Sequence, residues 1–339
     1  MSVSLAVKYR PKTWDDVLGQ DTIKEILMRQ LELHEVKNAY LFCGVTGGGK
    51  TTIARLFANL INEGKGQPIE IDAASNNGVD NVRAIVAAAQ ERSISSKYKV
   101  YIIDECHCTT AAGWSSWLKC IEEPPAYTIF IFCTTDPQKI PDTILNRVQR
   151  FNFNRISNEV IKSRLAYICE AEHFTDYNES IDYISKIAEG SMRTAISYLE
   201  KVASYSNSIS MQQTLEVLGN FSYEIFFDLI NNTIDQNESA VLETLNKIYS
   251  SGKNIKLFID QYIQFCLDIS KYLIFKDCNF IQIPQSYEEK IKYSTAFENA
   301  TSYYTYIINN LLELKNALKQ DVINKTTTEI YFIKMSRCQ

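Results

Sequence analysis

Eight consecutive residues carry the strongest chemical signal in the sequence: Gly44-Val45-Thr46-Gly47-Gly48-Gly49-Lys50-Thr51. Their spacing, G-x-x-x-x-G-K-T, lies between an apolar run at residues 40–43 and a helical segment that starts near Thr52. In such a loop the glycines let backbone N–H groups turn toward phosphate groups, the lysine reaches the terminal phosphates, and the threonine hydroxyl completes a magnesium shell. We predict that this loop, together with Thr52, binds ATP and Mg²⁺.

Two acidic residues follow another apolar run, at residues 100–103. In phosphoryl-transfer sites, one acid at the end of a neighbouring strand holds magnesium and a second polarises the attacking water. We therefore predict Asp104 as a metal ligand beside Thr51, and Glu105 as the residue that activates water. Taken alone, the run is equally compatible with a buried strand that ends in two solvated acids. The phosphate-binding loop favours the first interpretation.

His107 lies between Cys106 and Cys108, a grouping that suggests a metal site. A tetrahedral zinc site needs four donors, and no second pair of ligands occurs at a workable spacing. We interpret these three residues as packing beside the acidic strand.

Four short apolar runs predict the strands that must position these residues: 39–43, 68–72, 99–104 and 128–134. Each run is followed by a turn and by helix-compatible sequence, which is the pattern of a parallel sheet covered by helices. From residue 158 onward, apolar residues recur at helical spacing instead. We predict an α/β nucleotide-binding domain at residues 1–156, a small helical domain at 157–208 and a second helical domain at 209–339.

The composition fits a folded, soluble protein of two or three domains, with 339 residues, 45% hydrophobic and 22% charged. No apolar run reaches the roughly 18 residues of a membrane span, and residues 1–12 lack the apolar core of a signal peptide. We expect a cytoplasmic protein without a membrane partner. The net charge of −5 argues against a generally basic DNA-coating protein. The nine cysteines are scattered, so we expect reduced and mostly buried thiols.

Longer motifs resemble the bacterial DNA polymerase III gamma/tau family of AAA+ clamp-loader ATPases. They are YRPKTWDDVLGQ at residues 9–20, EIDAASNNGVD at 70–80, EEPP at 122–125 and TTDPQKIP at 134–141. The resemblance covers residues 5 to 200 in order, and the AASNNG block is more specific than a phosphate-binding loop. The helical remainder resembles the family's collar, through which subunits associate, only in position and character. The small helical domain corresponds to the family's lid.

The resemblance implies further roles in nucleotide binding. Tyr9, Pro11 and Val17 would border the adenine. Thr134 or Thr135 would sense the terminal phosphate from the fourth strand.

Two arginines acquire roles only through the resemblance, since alone they would be interpreted as solvated surface residues. Arg193 would be a second sensor that touches the nucleotide of its own subunit. Arg147 would be a finger that reaches into the site of the adjacent subunit. The family has Ser-Arg-Cys at this point, whereas this sequence has Asn146-Arg147-Val148. The arginine is present, but the neighbours that position it differ.

The resemblance also implies partners: other loader subunits in a five-membered ring, a sliding clamp, and primed DNA bound without sequence specificity. Helix starts near residues 76–80 and 109–112 would follow the DNA phosphates. A helix at residues 79–94 would turn toward the clamp.

Two departures from the family stand out. Members carry a four-cysteine zinc module before the second strand, whereas residues 62–67 contain no cysteine, so we predict no zinc. The sequence stops at Gln339 without the long extension of tau forms, which suggests a compact, phage-like loader, encoded by a phage or by another reduced replication system.

Two other classes of protein remain as alternatives. A branch-migration motor or helicase loader would share the phosphate-binding loop but is expected to lack the Ser75-Asn76-Asn77 block and the Pro124-Pro125 turn. A non-catalytic scaffold of the same architecture is disfavoured by the intact Lys50 and Glu105.

Overall fold

The computed structural model of the chain describes residues 3–252, 254–320 and 324–337. The described chain forms two compact units. The first comprises the described residues up to Arg164 together with Ala188–Ser197, and the second comprises Leu165–Ile187 together with the described residues from Tyr198 onward. The division into three domains at residues 156 and 208 stays a prediction.

A five-stranded parallel sheet forms the centre of the first unit. Its strands are β1 (Ala39–Gly44), β2 (Ile69–Asp72), β3 (Lys99–Asp104), β4 (Thr128–Thr134) and β5 (Gln149–Phe153). They lie in the order β2-β3-β4-β1-β5, and every neighbouring pair is parallel. The four predicted strands are confirmed to within one residue. The fifth was missed because only Phe151 and Phe153 of its five residues are buried, as befits a strand at the edge of the sheet.

The helices of the first unit alternate with the strands from β1 onward, as the α/β prediction requires. Helices α1 (Leu5–Lys8) and α2 (Asp21–Glu32) precede β1, and each of the strands β1 to β4 is followed by one of the helices α3 (Lys50–Ile61), α4 (Val79–Ala89), α5 (Ala111–Glu122) and α6 (Asp142–Leu145). Two further helices, α7 (Asn158–Ala171) and α9 (Met192–Ala203), have residues in both units. One-turn 3₁₀ helices at Cys106–Cys108 and Pro137–Lys139 follow β3 and β4.

Two apolar layers hold the sheet between these helices. Because side chains alternate between the two faces of a strand, Tyr40 and Phe42 of β1 pack in one layer with Phe57 of α3. Leu41 belongs to the opposite layer, with Trp117 of α5. Because β1, β3 and β4 are parallel, their carboxyl ends meet at one edge of the sheet.

Helix α4 ends earlier than predicted. The expected helix at residues 79–94 stops at Ala89. Beyond it, the Ser93 and Ser96 hydroxyls lie 2.8 Å apart, and Ser96 Oγ donates to the Tyr98 carbonyl at 2.9 Å. Serine side chains that bond locally in this way compete with the helical pattern of the backbone.

The second unit is helical. Besides its parts of α7 and α9 it contains α8 (Asn178–Ile187), α10 (Met211–Leu218), α11 (Tyr223–Ile234), α12 (Glu238–Ser250), α13 (Ile255–Phe275), α14 (Glu288–Ser294), α15 (Ala300–Gln320) and α16 (Asn324–Ser336). An apolar stripe on α13 is buried in the core of this unit: Phe258, Tyr262, Phe265, Ile269 and Tyr272. None of the described helices has both the length and the apolar character needed to span a membrane.

Eight of the nine cysteines are described, and all eight are free thiols. Six of them are buried, which confirms the prediction of mostly buried cysteines, while Cys108 and Cys278 are partly exposed. Cys338 lies outside the described residues.

Candidate nucleotide-binding site

The phosphate-binding loop joins the end of β1 to the start of α3. Gly47 and Gly49 have φ angles of 73° and 99°, in the left-handed region that glycine adopts without steric cost. A Cβ atom at Gly47 would also collide with the Ser191 side chain. The loop therefore needs glycine at these positions, and it leads directly into Lys50, the first residue of α3. The start of a helix favours negative charge because its N–H groups are unpaired.

Lys50 is buried, with only 5% of its surface exposed. Its ammonium donates to the carbonyl oxygens of Gly44 and Val45 at 2.9 and 3.0 Å. Such a buried cation needs partners, because removing a charge from water is costly. These two bonds hold the lysine side chain against the loop.

Thr51 and Asp104 meet as predicted, although 53 positions separate them in the sequence. Thr51 Oγ1 donates to Asp104 Oδ2 at 2.8 Å, and Asp104 Oδ1 accepts from the backbone N–H of Glu105 at 3.0 Å. A hydroxyl and a carboxylate are the oxygen donors that Mg²⁺ prefers. The pair therefore fits a magnesium ion.

Glu105 follows β3 in the left-handed conformation, with φ 47° and ψ 41°. This region is sparsely populated by residues other than glycine, and such strain is concentrated at functional sites. Glu105 Oε2 accepts from Thr135 Oγ1 at 3.0 Å and lies 3.3 Å from His107 Nδ1. The carboxylate is thus held by two side chains.

The two candidate sensor threonines are in different surroundings. Thr134 is fully buried, and its hydroxyl accepts the backbone N–H of Asp136 at 3.0 Å. The same hydroxyl oxygen lies 3.2 Å from His107 Nδ1. Thr135 instead donates to Glu105. His107, which the sequence suggested only as a packing residue, is in contact with both Thr134 and Glu105.

A cavity of about 440 Å³ opens beside the loop. It is lined by most of the residues predicted to bind the nucleotide: Tyr9, Pro11, Val17, Gly47, Gly48, Gly49, Lys50, Thr51, Thr52, Asp104 and Arg193. The other predicted site residues, all of them described, lie outside this lining: Gly44, Val45, Thr46, Glu105, Thr134, Thr135 and Arg147.

Three further arginines line the cavity, and the sequence analysis did not predict them as site residues: Arg10, Arg55 and Arg164. Arg55 forms an ion pair with Glu70. Burial, and then the proximity of Arg55, lowers the pKa of the half-buried Arg10 guanidinium. Together with Lys50 and Arg193 these side chains give the cavity an excess of positive charge. Such a cavity favours an anionic ligand such as a phosphate chain.

Two side chains fix the N-terminal segment at the cavity. Arg164 Nη2 donates to the backbone carbonyl of Tyr9 at 2.9 Å. The Gln20 amide donates to the carbonyls of Asn154 and Gly48 at 2.7 and 3.3 Å and accepts from the N–H of Asn154 at 3.1 Å. Sequence reasoning did not single out either residue. The only available signal was the place of Gln20 in the motif at residues 9–20.

Arg147 lies between α6 and β5, and it bonds to its own chain. Its Nη2 is 2.7 Å from Glu122 Oε1, and its Nη1 donates to the carbonyl of Thr143 at 2.7 Å. Both members of the ion pair are about two-fifths exposed. Arg147 is therefore tethered near the end of α5.

The two helix starts predicted to face DNA lie next to each other. Helix α4 begins at Val79 and α5 at Ala111. The Thr110 hydroxyl caps α5 by accepting the N–H of Gly113 at 3.2 Å, and the Thr110 N–H donates to the carbonyl of Asn77 at 3.3 Å. One surface therefore presents two helix N-termini.

Two parts of the chain match models of known families. Residues 68–157 match a family described as "DNA polymerase III, delta subunit". Residues 209–336 match "DNA polymerase III subunits gamma and tau domain III".

Curated proteins give a consistent result. The chain is 37% identical over 286 residues to "DNA polymerase III subunit tau" of Bacillus subtilis, covering 78% of this chain and 51% of that protein. It is 30% identical over 343 residues to "DNA polymerase III subunit gamma" of Buchnera aphidicola subsp. Acyrthosiphon pisum, covering 94% of this chain and 95% of that protein. The chain spans about half the length of the tau and gamma/tau relatives that it matches.

Among solved structures, the chain resembles the RuvB Holliday junction branch migration motor of Thermotoga maritima. The TM-score is 0.52 at 20% identity, covering 67% of this chain and 79% of that structure. At this identity the likeness concerns the fold, which is the AAA+ fold predicted from the sequence.

Proposed function

We propose, because the chain belongs to the DNA polymerase III gamma/tau family of clamp-loader AAA+ proteins, that it uses ATP to open a sliding clamp and to load it on primed DNA. One observation carries the proposal: the Thr51–Asp104 pair lies beside Lys50 in a positively charged cavity. This arrangement supports the binding of a nucleoside triphosphate with magnesium.

The residues around the loop would act on the phosphates. Lys50 would exchange its bonds to loop carbonyls for bonds to the terminal phosphates. Thr51 and Asp104 would hold magnesium, which when bound neutralises charge on the phosphate oxygens. Glu105 would orient the attacking water and accept its proton.

Nucleotide recognition would fall to the rest of the cavity. Tyr9, Pro11 and Val17 would border the adenine, on a segment that Arg164 and Gln20 hold in place. Arg193 would contact the phosphates as a second sensor. Thr134 or Thr135 would report the terminal phosphate from the end of β4.

Arg147 would complete the site of a neighbouring subunit. Its position outside the cavity lining of its own chain and its partly exposed side chain support this role. To reach a neighbour, Arg147 must leave Glu122, and the exposed pair that is lost costs only about 0–1 kcal/mol. Subunits would associate in a five-membered ring through the collar at residues 209–339, with residues 157–208 as the lid.

ATP would act by shifting the population of ring conformations. Sites closed by a neighbour's Arg147 would favour a spiral that binds and opens the clamp. The starts of α4 and α5 would track DNA phosphates without reading sequence. Hydrolysis would remove the phosphate that joins the subunits, and the ring would then release the clamp and DNA.

The test is ATP hydrolysis by the full chain, alone and with loader partners, a sliding clamp and primed DNA. We expect stimulation that needs clamp and primer together and that is absent in Lys50→Ala. Turnover insensitive to DNA and clamp would contradict the loader function, and no turnover with all partners present would contradict the ATPase.

A further inference from the structure

We propose that His107 is a positioning residue that orients the Glu105 carboxylate and couples it to the Thr134 hydroxyl. The inference rests on the proposed ATPase function. It assigns to His107 a role beyond packing.

The imidazole is held between two groups of the site. His107 lies in the one-turn 3₁₀ helix that follows Glu105, and only 16% of its side chain is exposed. Its Nδ1 atom is 3.3 Å from Glu105 Oε2 and 3.2 Å from Thr134 Oγ1. A single nitrogen therefore faces both the carboxylate and the buried hydroxyl.

That nitrogen has two alternative roles, donor and acceptor, which depend on the tautomer. A carboxylate only accepts, so Nδ1 must carry a proton to bond Glu105. A bare Nδ1 would instead accept the proton of the Thr134 hydroxyl, whose oxygen already accepts the N–H of Asp136. The two arrangements exclude each other, because one ring nitrogen holds either a proton or a lone pair.

This exclusion links the hydroxyl of Thr134, as the candidate phosphate sensor, to the carboxylate of Glu105. When the Thr134 hydroxyl donates to a phosphate oxygen, it no longer needs Nδ1 as an acceptor. The Nδ1–H tautomer then donates to Glu105 Oε2, the oxygen that also accepts from Thr135 at 3.0 Å. Two donors on Oε2 fix the carboxylate, so that Oε1 is the oxygen that takes the proton from water.

The strained backbone of Glu105 explains why such a partner is needed. At φ 47° the residue is in a conformation that its own chain does not favour. Side-chain bonds on both flanks keep the carboxylate in one orientation, and a general base acts only within hydrogen-bonding reach of its water.

Two matched variants separate positioning from packing. His107→Asn places an amide group near the position of Nδ1, whereas His107→Gln places it near the position of Nε2 and leaves no polar atom near Nδ1. His107→Ala removes both groups. His34→Asn is the control, because His34 is exposed and has a left-handed φ of 55° that asparagine tolerates.

The readouts are kcat for ATP hydrolysis stimulated by clamp and primed DNA, the nucleotide Kd, and the unfolding midpoint. We expect His107→Ala and His107→Gln to lower kcat about tenfold, a part of what a general base contributes, with the nucleotide Kd unchanged. His107→Asn should retain most of the wild-type kcat, and His34→Asn all of it.

A second measurement tests the link to Thr134. If both residues act through one bond network, the double variant of Thr134→Val and His107→Ala should lose no more kcat than the worse single variant. Wild-type kcat in His107→Ala, or equal losses in the asparagine and glutamine variants, would overturn the positioning role. A wild-type protein without hydrolysis would instead overturn the proposed function from which the inference starts.

Discussion

The carboxyl edge of the sheet and the core of the helical unit are built from different kinds of side chain. At the sheet edge, Lys50 donates to the carbonyl of Gly44, and Asp104 accepts the backbone N–H of Glu105, which has a left-handed backbone. The helical core contains aromatic rings in mutual contact, such as Phe258 and Tyr262 with centroids 5.8 Å apart.

The difference indicates a division of work. In the proposed function, charged and strained groups at the sheet edge would serve binding and catalysis, for which a local cost in stability is tolerated. Apolar rings in the helical core gain free energy from burial and packing. Substitutions in one region should therefore change activity, and substitutions in the other should change stability.

The largest effect should come from the helical core. Phe258 is fully buried, and its ring centroid lies 5.1 Å from that of Phe221. Phe258→Ala would leave a cavity, and we expect it to lower the free energy of unfolding by about 3–5 kcal/mol. Chemical denaturation measures this loss. Wild-type stability in Phe258→Ala, or loss of nucleotide binding in the folded variant, would contradict the division of work between the two regions.

Next in size is the loss of the loop lysine. Lys50→Ala removes the cation that would neutralise the transferred phosphate, and we expect ATP hydrolysis to fall about 100- to 1,000-fold. Stimulated hydrolysis measures activity, and denaturation of the same variant measures stability. If the unfolding midpoint of Lys50→Ala fell as far as that of Phe258→Ala, the division of work between the sheet edge and the helical core would be contradicted.

Alkaline pH should act on the buried phenols of the helical core. Burial raises the pKa of Tyr262 well above its usual 10. Above pH 10 the unfolded chain releases a phenol proton that the folded chain keeps, so stability falls as pH rises, by about 1.4 kcal/mol per pH unit for one such tyrosine. Tyr262→Phe removes that contribution. We expect its unfolding free energy to fall less between pH 9 and 11 than that of the wild type, and equal slopes would refute this.

The smallest effect should come from the exposed pair of Arg147 and Glu122. Glu122→Gln weakens the tether of the arginine within its own chain. Because exposed ion pairs contribute only about 0.2–1 kcal/mol, we expect stimulated hydrolysis to rise by at most about fivefold, with stability unchanged. Arg147→Ala is the matched variant and should abolish stimulation. A loss of hydrolysis in Glu122→Gln would show that the pair is needed in the assembled site.

Features that leave a local pattern in the sequence could be predicted, whereas features that depend on tertiary packing could not. Strands β1, β3 and β4 lie inside the sheet and are buried over most of their length, so they appear as apolar runs, whereas β5 lies at an edge, alternates and was missed. Lys50, Asp104 and Glu105 lie in contiguous sequence motifs, from which their chemical roles could be predicted. Arg55 and Arg164 reach the cavity only through the packing of α3 and α7, and no local pattern marks them. The contact of His107 with Thr134 likewise depends on the pairing of β3 with β4.

The most direct test of the account is transfer of a sliding clamp to primed circular DNA by the assembled loader with ATP, compared with loader that contains Glu105→Gln. We predict that the wild-type chain leaves a closed clamp on the DNA and dissociates, whereas the Glu105→Gln loader holds clamp and DNA together without release. ATP hydrolysis that leaves no clamp on the DNA would contradict the proposed function.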